Sequence, residues 1–93
     1  REDNPEAYAA AQNNLGSAYE DKELFEDSFA ARSRVLRSDS PYIYAVAQLN
    51  MGIAHYNNGS LDEAVTAWNR VLEEDDPQSY AEAQRNLALV NKH

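Results

Sequence analysis

The stretch SPYIYAVAQLNMG, residues 40–52, has a counterpart before it, NPEAYAAAQNNLG at 4–16, and one after it, DPQSYAEAQRNLA at 76–88. The copies start 36 residues apart and align without gaps. A fixed period of roughly 20–50 residues marks a stacked repeat array, in which each unit buries one face against its neighbour. Stacking suits a chain of 93 residues, which forms one domain with a modest core. Arrays of this kind display an extended surface, so the functional question is what binds that surface.

Each unit reads as two helices. Asn4-Pro5, Ser40-Pro41 and Asp76-Pro77 are start signals: the first residue caps an orphan N–H, and proline at the first helical position loses no bond. Asn57-Asn58-Gly59 is a stop, and Ser60 with Glu63 has the spacing of a capping box for the next helix. Glu23 stands where Gly59 stands one period later, which predicts a strained or looser first turn. In the second helices, Phe25/Leu61, Ser28/Ala64, Ala31/Ala67, Val35/Val71 and Leu36/Leu72 match at the period and fall on one stripe. The spacing predicts helices over 5–22, 25–37, 41–57, 60–74 and 78–92. Repeat one then covers about 5–39 and repeat two about 41–75, with a terminal capping helix over about 78–92, all within a single domain, 1–93.

Composition removes several function classes. Eight basic and 16 acidic residues give a formal charge of −8, which argues against nucleic acid and against an anionic membrane surface. No apolar run approaches the ~18 residues of a membrane span, and the N-terminus lacks the order of a signal peptide. The chain has no cysteine. A cytoplasmic setting is therefore the default expectation, with the compartment itself not written in these residues. Enzymatic activity is not expected. His55 reads as a core-facing structural histidine, His93 sits at the last position, and no nucleophile has a histidine and an acid in plausible register. There is no phosphate-binding glycine loop, and Glu73-Glu74-Asp75-Asp76 lacks the alternation of a calcium loop. No catalytic residue, metal or cofactor is anticipated.

The repeat units resemble those of the tetratricopeptide repeat family. Leu15-Gly16 with Ala18-Tyr19 carries the resemblance in unit one; Met51-Gly52, Ala54, Gly59, Ala64, Trp68 and Pro77 carry it in unit two; Leu87-Ala88 carries it in the partial third. The departures are a period longer than the family's usual ~34 residues, glutamine (Gln12, Gln48, Gln84) where the family often has tryptophan, and Ser28 with Arg32 where small and aromatic residues are usual. The resemblance implies an all-α fold of tandem antiparallel helical hairpins, about five helices stacked as a right-handed superhelix. Gly16, Gly52 and Ala88 are then close-approach positions, and Trp68 is core.

The resemblance also implies a concave groove lined by the first helix of each unit. Carried over by position, the groove residues are Asn13, Ser17 and Glu20, then Val46, Leu49, Asn50, Ile53 and Tyr56, then Arg85 and Leu89, with Asp21 and Lys92 at its edges. Val46, Leu49, Ile53 and Tyr56 follow spacings of three and four, so they form one apolar stripe, while Tyr44, Ala45, Met51, Gly52 and His55 face their own hairpin. A helix apolar on both sides needs cover on both sides. Of the positions at which one subset of the family clamps a carboxylate (Asn13, Ser17, Asn50, Glu82 and Asn86), only Asn50 fits, so that mode is not expected. The function expected from this reading is a protein–protein interaction scaffold binding a peptide or helix of a partner, apolar with a basic residue facing Glu20 and Asp21. The alternative is a structural module for homo-oligomerisation, such as a homodimer, or for docking within a larger protein. Ile53→Glu is expected to abolish binding while leaving the melting point almost unchanged.

Overall fold

The computed structural model describes residues 3–91. Among these residues the fold is all-helical: α1 (Pro5–Asp21), α2 (Phe25–Ser33), α3 (Pro41–Asn57), α4 (Leu61–Asn69) and α5 (Pro77–Asn91). α1 pairs with α2 and α3 with α4 as antiparallel hairpins. α3 docks on both helices of the first hairpin, and α5 on both helices of the second. The result is a slab of 45 × 31 × 16 Å. Lys92 and His93 lie outside the described residues.

The start signals act as the sequence suggests at α1 and α3. Asn4 Oδ1 accepts from the Ala7 N–H at 3.0 Å, and Ser40 Oγ accepts from the Ile43 N–H at 3.2 Å. At Asp76 the carboxylate instead takes the Ser79 hydroxyl at 2.5 Å. Ser60 departs from the capping-box reading: α4 begins after it, but its side chain makes no cap bond. Backbone closes that turn. The Ser60 N–H donates to His55 O at 2.8 Å, and the Leu24 N–H donates to Tyr19 O at 2.8 Å, so the two hairpin turns share one geometry. This six-to-one bond needs a left-handed residue at the position before it. Gly59 supplies it with φ 81°, and Glu23 is forced to φ 62°.

α2 and α4 end at Ser33 and Asn69, one turn short of the predicted 37 and 74. The three-and-four spacing runs on through Val35-Leu36 and Val71-Leu72, but the backbone tightens first. The Arg34 and Val35 N–H groups bond three residues back, to Ala31 O and Arg32 O, and Arg70 and Val71 repeat this. The chain leaves the helix with Val35 and Val71 both 1% exposed, while Leu36 turns out to solvent, as does Leu61 at the start of α4. Each hairpin thus closes through a turn that carries a core valine.

Two apolar clusters mark the two junctions. Ala9, Val35 and Ala47, with Ile43 and Tyr44 packed on them, join the first hairpin to α3. Ala45, Leu49, Ala64, Trp68, Val71, Ala83 and Leu87, with Tyr80 and Val90, join the second hairpin to α5. His55 crosses the first junction. Its ring stacks on Phe29 of α2 with centroids 3.9 Å apart and planes 18° apart, so it packs on the preceding hairpin as well as its own. The closing turns are tied as well: the Arg37 guanidinium donates to both Asp75 oxygens, Nε at 2.7 Å and the terminal nitrogen at 2.8 Å. The Asp75 carboxylate is 2% exposed, and its hydrogen bonds hold the Arg37 pKa above its ordinary value.

Candidate functional site

The face built from α1, α3 and α5 is governed by four positions that recur at the repeat period. In the second hairpin they hold Ile53, Tyr56, Ala64 and Trp68; in the first they hold Ser17, Glu20, Ser28 and Arg32. The same lattice is apolar in one unit and ionic in the other.

In the apolar version Trp68 is buried in the hairpin, 2% exposed, and its Nε1 donates to Leu49 O at 3.3 Å. The buried indole has thereby found the partner it requires. Gly52 makes this possible, since a Cβ there would collide with the indole ring. Tyr56 stands beside Trp68, with ring centroids 6.1 Å apart.

In the ionic version Arg32 occupies the place of the indole, also 2% exposed. A Cβ on Gly16 would come within 2.5 Å of the Arg32 side chain, so the glycine serves Arg32 as Gly52 serves Trp68. A buried guanidinium needs charge compensation and acceptors. Glu20 supplies both at 2.6 Å. Ser17 Oγ accepts from Arg32 at 3.0 Å and Ser28 Oγ at 3.4 Å, while the Ser28 hydroxyl donates to Gly16 O at 2.8 Å. Arg32 Nε and Asn13 Oδ1 are enclosed without a hydrogen-bond partner in the protein.

Two depressions meet on this face at Ile53. One, of about 140 Å³, is lined by Ile53, Tyr56, Trp68, Asn86 and Leu89. The other, of about 220 Å³, is lined by Ser17, Glu20, Asp21, Arg32, Asn50 and Ile53. Together they make a continuous surface with an apolar end at α5 and an acidic end at α1. Because Glu20 is committed to Arg32, Asp21 carries the uncompensated charge at the acidic end. Of the two carboxylates expected to face a basic residue, Glu20 and Asp21, this leaves Asp21.

The remaining sequence candidates separate as follows. Leu49 belongs to the core rather than to the surface: it is 6% exposed, enclosed by the α4–α5 junction, and its carbonyl is held by Trp68. Ile53 is half-buried and packs on the same cluster, so it carries stability along with surface. Val46, Asn13 and Asn50 are half-buried, and Ser17 and Arg85 are exposed. Tyr56 at 41% and Leu89 at 56% are the exposed apolar members. Trp68 and Asn86 line the apolar depression, and Arg32 the acidic one; Asn86 was read only as a position of the carboxylate clamp, and Trp68 and Arg32 were not read as part of the groove. The signal for Arg32 was in the sequence: Ser28 and Arg32 depart from the repeat together with Ser17 and Glu20, and four matched departures in facing positions imply contact.

A third depression, of about 230 Å³, lies on the other side of α3, lined by Met51, His55, Asp62, Glu63, Thr66, Ala67 and Arg70. Burial lowers the His55 pKa, and the Glu63 carboxylate opposes this in part. Among the described residues no group of histidine and carboxylate side chains is placed to hold a metal ion, and no helix is long and apolar enough to cross a membrane. No protein-family model, curated protein or solved structure matches the chain.

Proposed function

We propose that this chain is a protein–protein interaction scaffold of tetratricopeptide-repeat type. Its α1–α3–α5 face takes a short peptide or helix from a partner protein. A large apolar side chain enters the depression of Tyr56, Trp68 and Leu89, and a basic residue lies toward Asp21. The observation that carries the reading is the joining of an apolar and an acidic depression at Ile53 on first helices. Preformed apolar grooves with a few polar groups at fixed positions are how helical scaffolds hold partner segments.

The test is selection of dodecapeptides from a random displayed library on the purified chain. Trp68, the single tryptophan, reports binding by its fluorescence. Enriched peptides should pair a large apolar residue with Lys or Arg, and Leu89→Glu should abolish their binding with an unchanged melting point. Leu89 is a cleaner probe than Ile53, because it lies mostly in solvent. Asp21→Lys should invert the charge preference. No enrichment over the Leu89→Glu chain would end the proposal. The second reading, a structural module for self-association or docking within a larger protein, draws support from the exposed Leu15 on α1.

A further inference from the structure

Of the asparagines in the chain, only Asn58 is followed by glycine. The backbone nitrogen after an asparagine can attack the side-chain amide carbon, and a side chain on that next residue shields it. Glycine, with no Cβ, leaves the nitrogen open. Asn58-Gly59 forms the turn between α3 and α4, and both residues are exposed. A Cβ on Gly59 would meet no atom within 4 Å, so water reaches the peptide group from that side. In the first hairpin the same two positions hold Lys22 and Glu23, which lack this chemistry.

The closed turn holds the reaction back. Cyclisation makes a five-membered ring from the Gly59 nitrogen and the carbonyl carbon, Cα, Cβ and Cγ of Asn58, so the nitrogen must eclipse Cβ. Asn58 has ψ 3°, which eclipses the Gly59 nitrogen with the Asn58 nitrogen instead and leaves Cβ a third of a circle away. The Gly59 N–H is also committed: it donates to Tyr56 O at 3.0 Å, and the Ser60 N–H after it donates to His55 O at 2.8 Å. Rotating ψ swings the Gly59 peptide group and breaks this closure. The turn lies at an exposed edge, where local opening takes less free energy than global unfolding.

We propose that Asn58-Gly59 is a self-modification site, at which the second hairpin turn converts its own asparagine at a rate set by its opening. The Gly59 nitrogen bonds to Asn58 Cγ and the Cγ–Nδ2 bond breaks. The side-chain nitrogen takes the Gly59 amide proton and leaves as ammonia. Water then opens the succinimide. Cleavage of the Cγ–N bond gives aspartate at position 58, and cleavage at the backbone carbonyl gives isoaspartate, with the main chain rerouted through Cβ and Cγ. No oxidant, reductant or cofactor is consumed. Isoaspartate lengthens the main chain by one methylene inside the turn, so the Gly59 and Ser60 N–H groups no longer reach Tyr56 O and His55 O together. Aspartate places a negative charge at the C-terminus of α3, where the helix dipole opposes it. Either product loosens the turn that sets α4 against α3.

The test incubates the 93-residue chain in mildly alkaline buffer, folded and in denaturant, and maps the amide-to-acid mass change by proteolysis and mass spectrometry. An isoaspartate-specific methylation assay reads the rearranged product. Conversion at Asn58 should precede that at every other asparagine. It should run at least about tenfold slower in the folded chain than in denaturant, because it passes through local opening. Ser60→Pro removes the N–H that closes the turn, and should bring the folded rate toward the denatured one while the helical circular-dichroism signal is kept. Asn58→Gln should abolish the conversion. The converted chain should melt roughly 5–10 °C lower, the shift expected from losing one or two backbone hydrogen bonds in a domain of this size. Earlier conversion of another asparagine would overturn the proposal. So would equal rates in the folded and denatured chains, or a folded chain left unmodified while the denatured chain converts fully.

Discussion

Replacing Glu20 by alanine removes the counter-charge from a guanidinium that has almost no contact with water. Arg32 is 2% exposed, and its remaining acceptors are the hydroxyls of Ser17 at 3.0 Å and Ser28 at 3.4 Å. Breaking a fully buried pair costs about 3–5 kcal/mol, whereas an exposed pair contributes about 0–1. Glu20 falls between the two: its side chain is 33% exposed, so water reaches the space it leaves. The expected loss is therefore about 2–3 kcal/mol. In a domain of this size each kcal/mol moves the midpoint by about 4–8 °C, so the melting temperature should fall by roughly 10–20 °C. Calorimetry of Glu20→Ala beside Asp21→Ala supplies the measurement and its control, because Asp21 lines the same depression but lies exposed at the helix end. Replacing the whole set by its counterpart (Ser17→Ile, Glu20→Tyr, Ser28→Ala, Arg32→Trp) should restore or exceed the original stability. A buried ion pair exchanged for well-packed apolar groups is often neutral or favourable, and Gly16 already leaves the space that Gly52 leaves for Trp68. A fall below about 3 °C for Glu20→Ala would mean that the pair behaves as a surface contact, and the account of Arg32 as the ionic replacement for Trp68 would fail.

Glu23→Gly should raise stability by about 0.5–1 kcal/mol in denaturant titration, because Glu23 holds φ 62° where the matching residue is Gly59. Gly52→Ala should cost about 1–3 kcal/mol, since its Cβ meets the Trp68 ring; the shift should also appear in the near-ultraviolet circular-dichroism signal of that indole. His55 has a folded pKa below its unfolded value of about 6.5, so the unfolded chain binds the proton more readily. Its contribution to stability is complete above that value and is lost as the pH falls through and below it. The chain should lose stability from pH 7 to about 5.5, and His55→Phe, which keeps the stack on Phe29, should flatten that slope.

The hairpin stack was legible because periodicity, start signals and glycine positions all agree. Asn4 and Ser40 cap where the residue types demand it, and Gly16 and Gly52 lie where close approach was anticipated. What failed to show was hidden by residues that satisfy two readings at once. Val35-Leu36 and Val71-Leu72 continue a helical stripe in sequence, yet the backbone shifts to three-residue bonds before them, so Val35 and Val71 become core while Leu36 becomes surface. Leu49 fits a groove by position, but the position alone does not reveal that α5 closes over it. Ser60 followed by Glu63 has the spacing of a capping box, yet the turn is closed by its own backbone, and the hydroxyl is left out of it.

The two versions of the four-residue lattice explain why one helical stack has a face with two unlike depressions. Between hairpins, the array needs small residues, tyrosines and the closing-turn valine, and these are kept from unit to unit. Inside a hairpin, the requirement is only that the second helix send one large side chain across a glycine and that its polar atoms be answered. Trp68 meets this with a single hydrogen bond to a backbone carbonyl and leaves Ile53 and Tyr56 free to be apolar. Arg32 needs several partners, so Ser17, Glu20 and Ser28 must be polar with it. The identity of one buried residue on the second helix thereby sets the chemistry of the exposed face on the first. Exchanging that residue with its three partners is the substitution set that should convert the acidic depression into the apolar one without altering the stack.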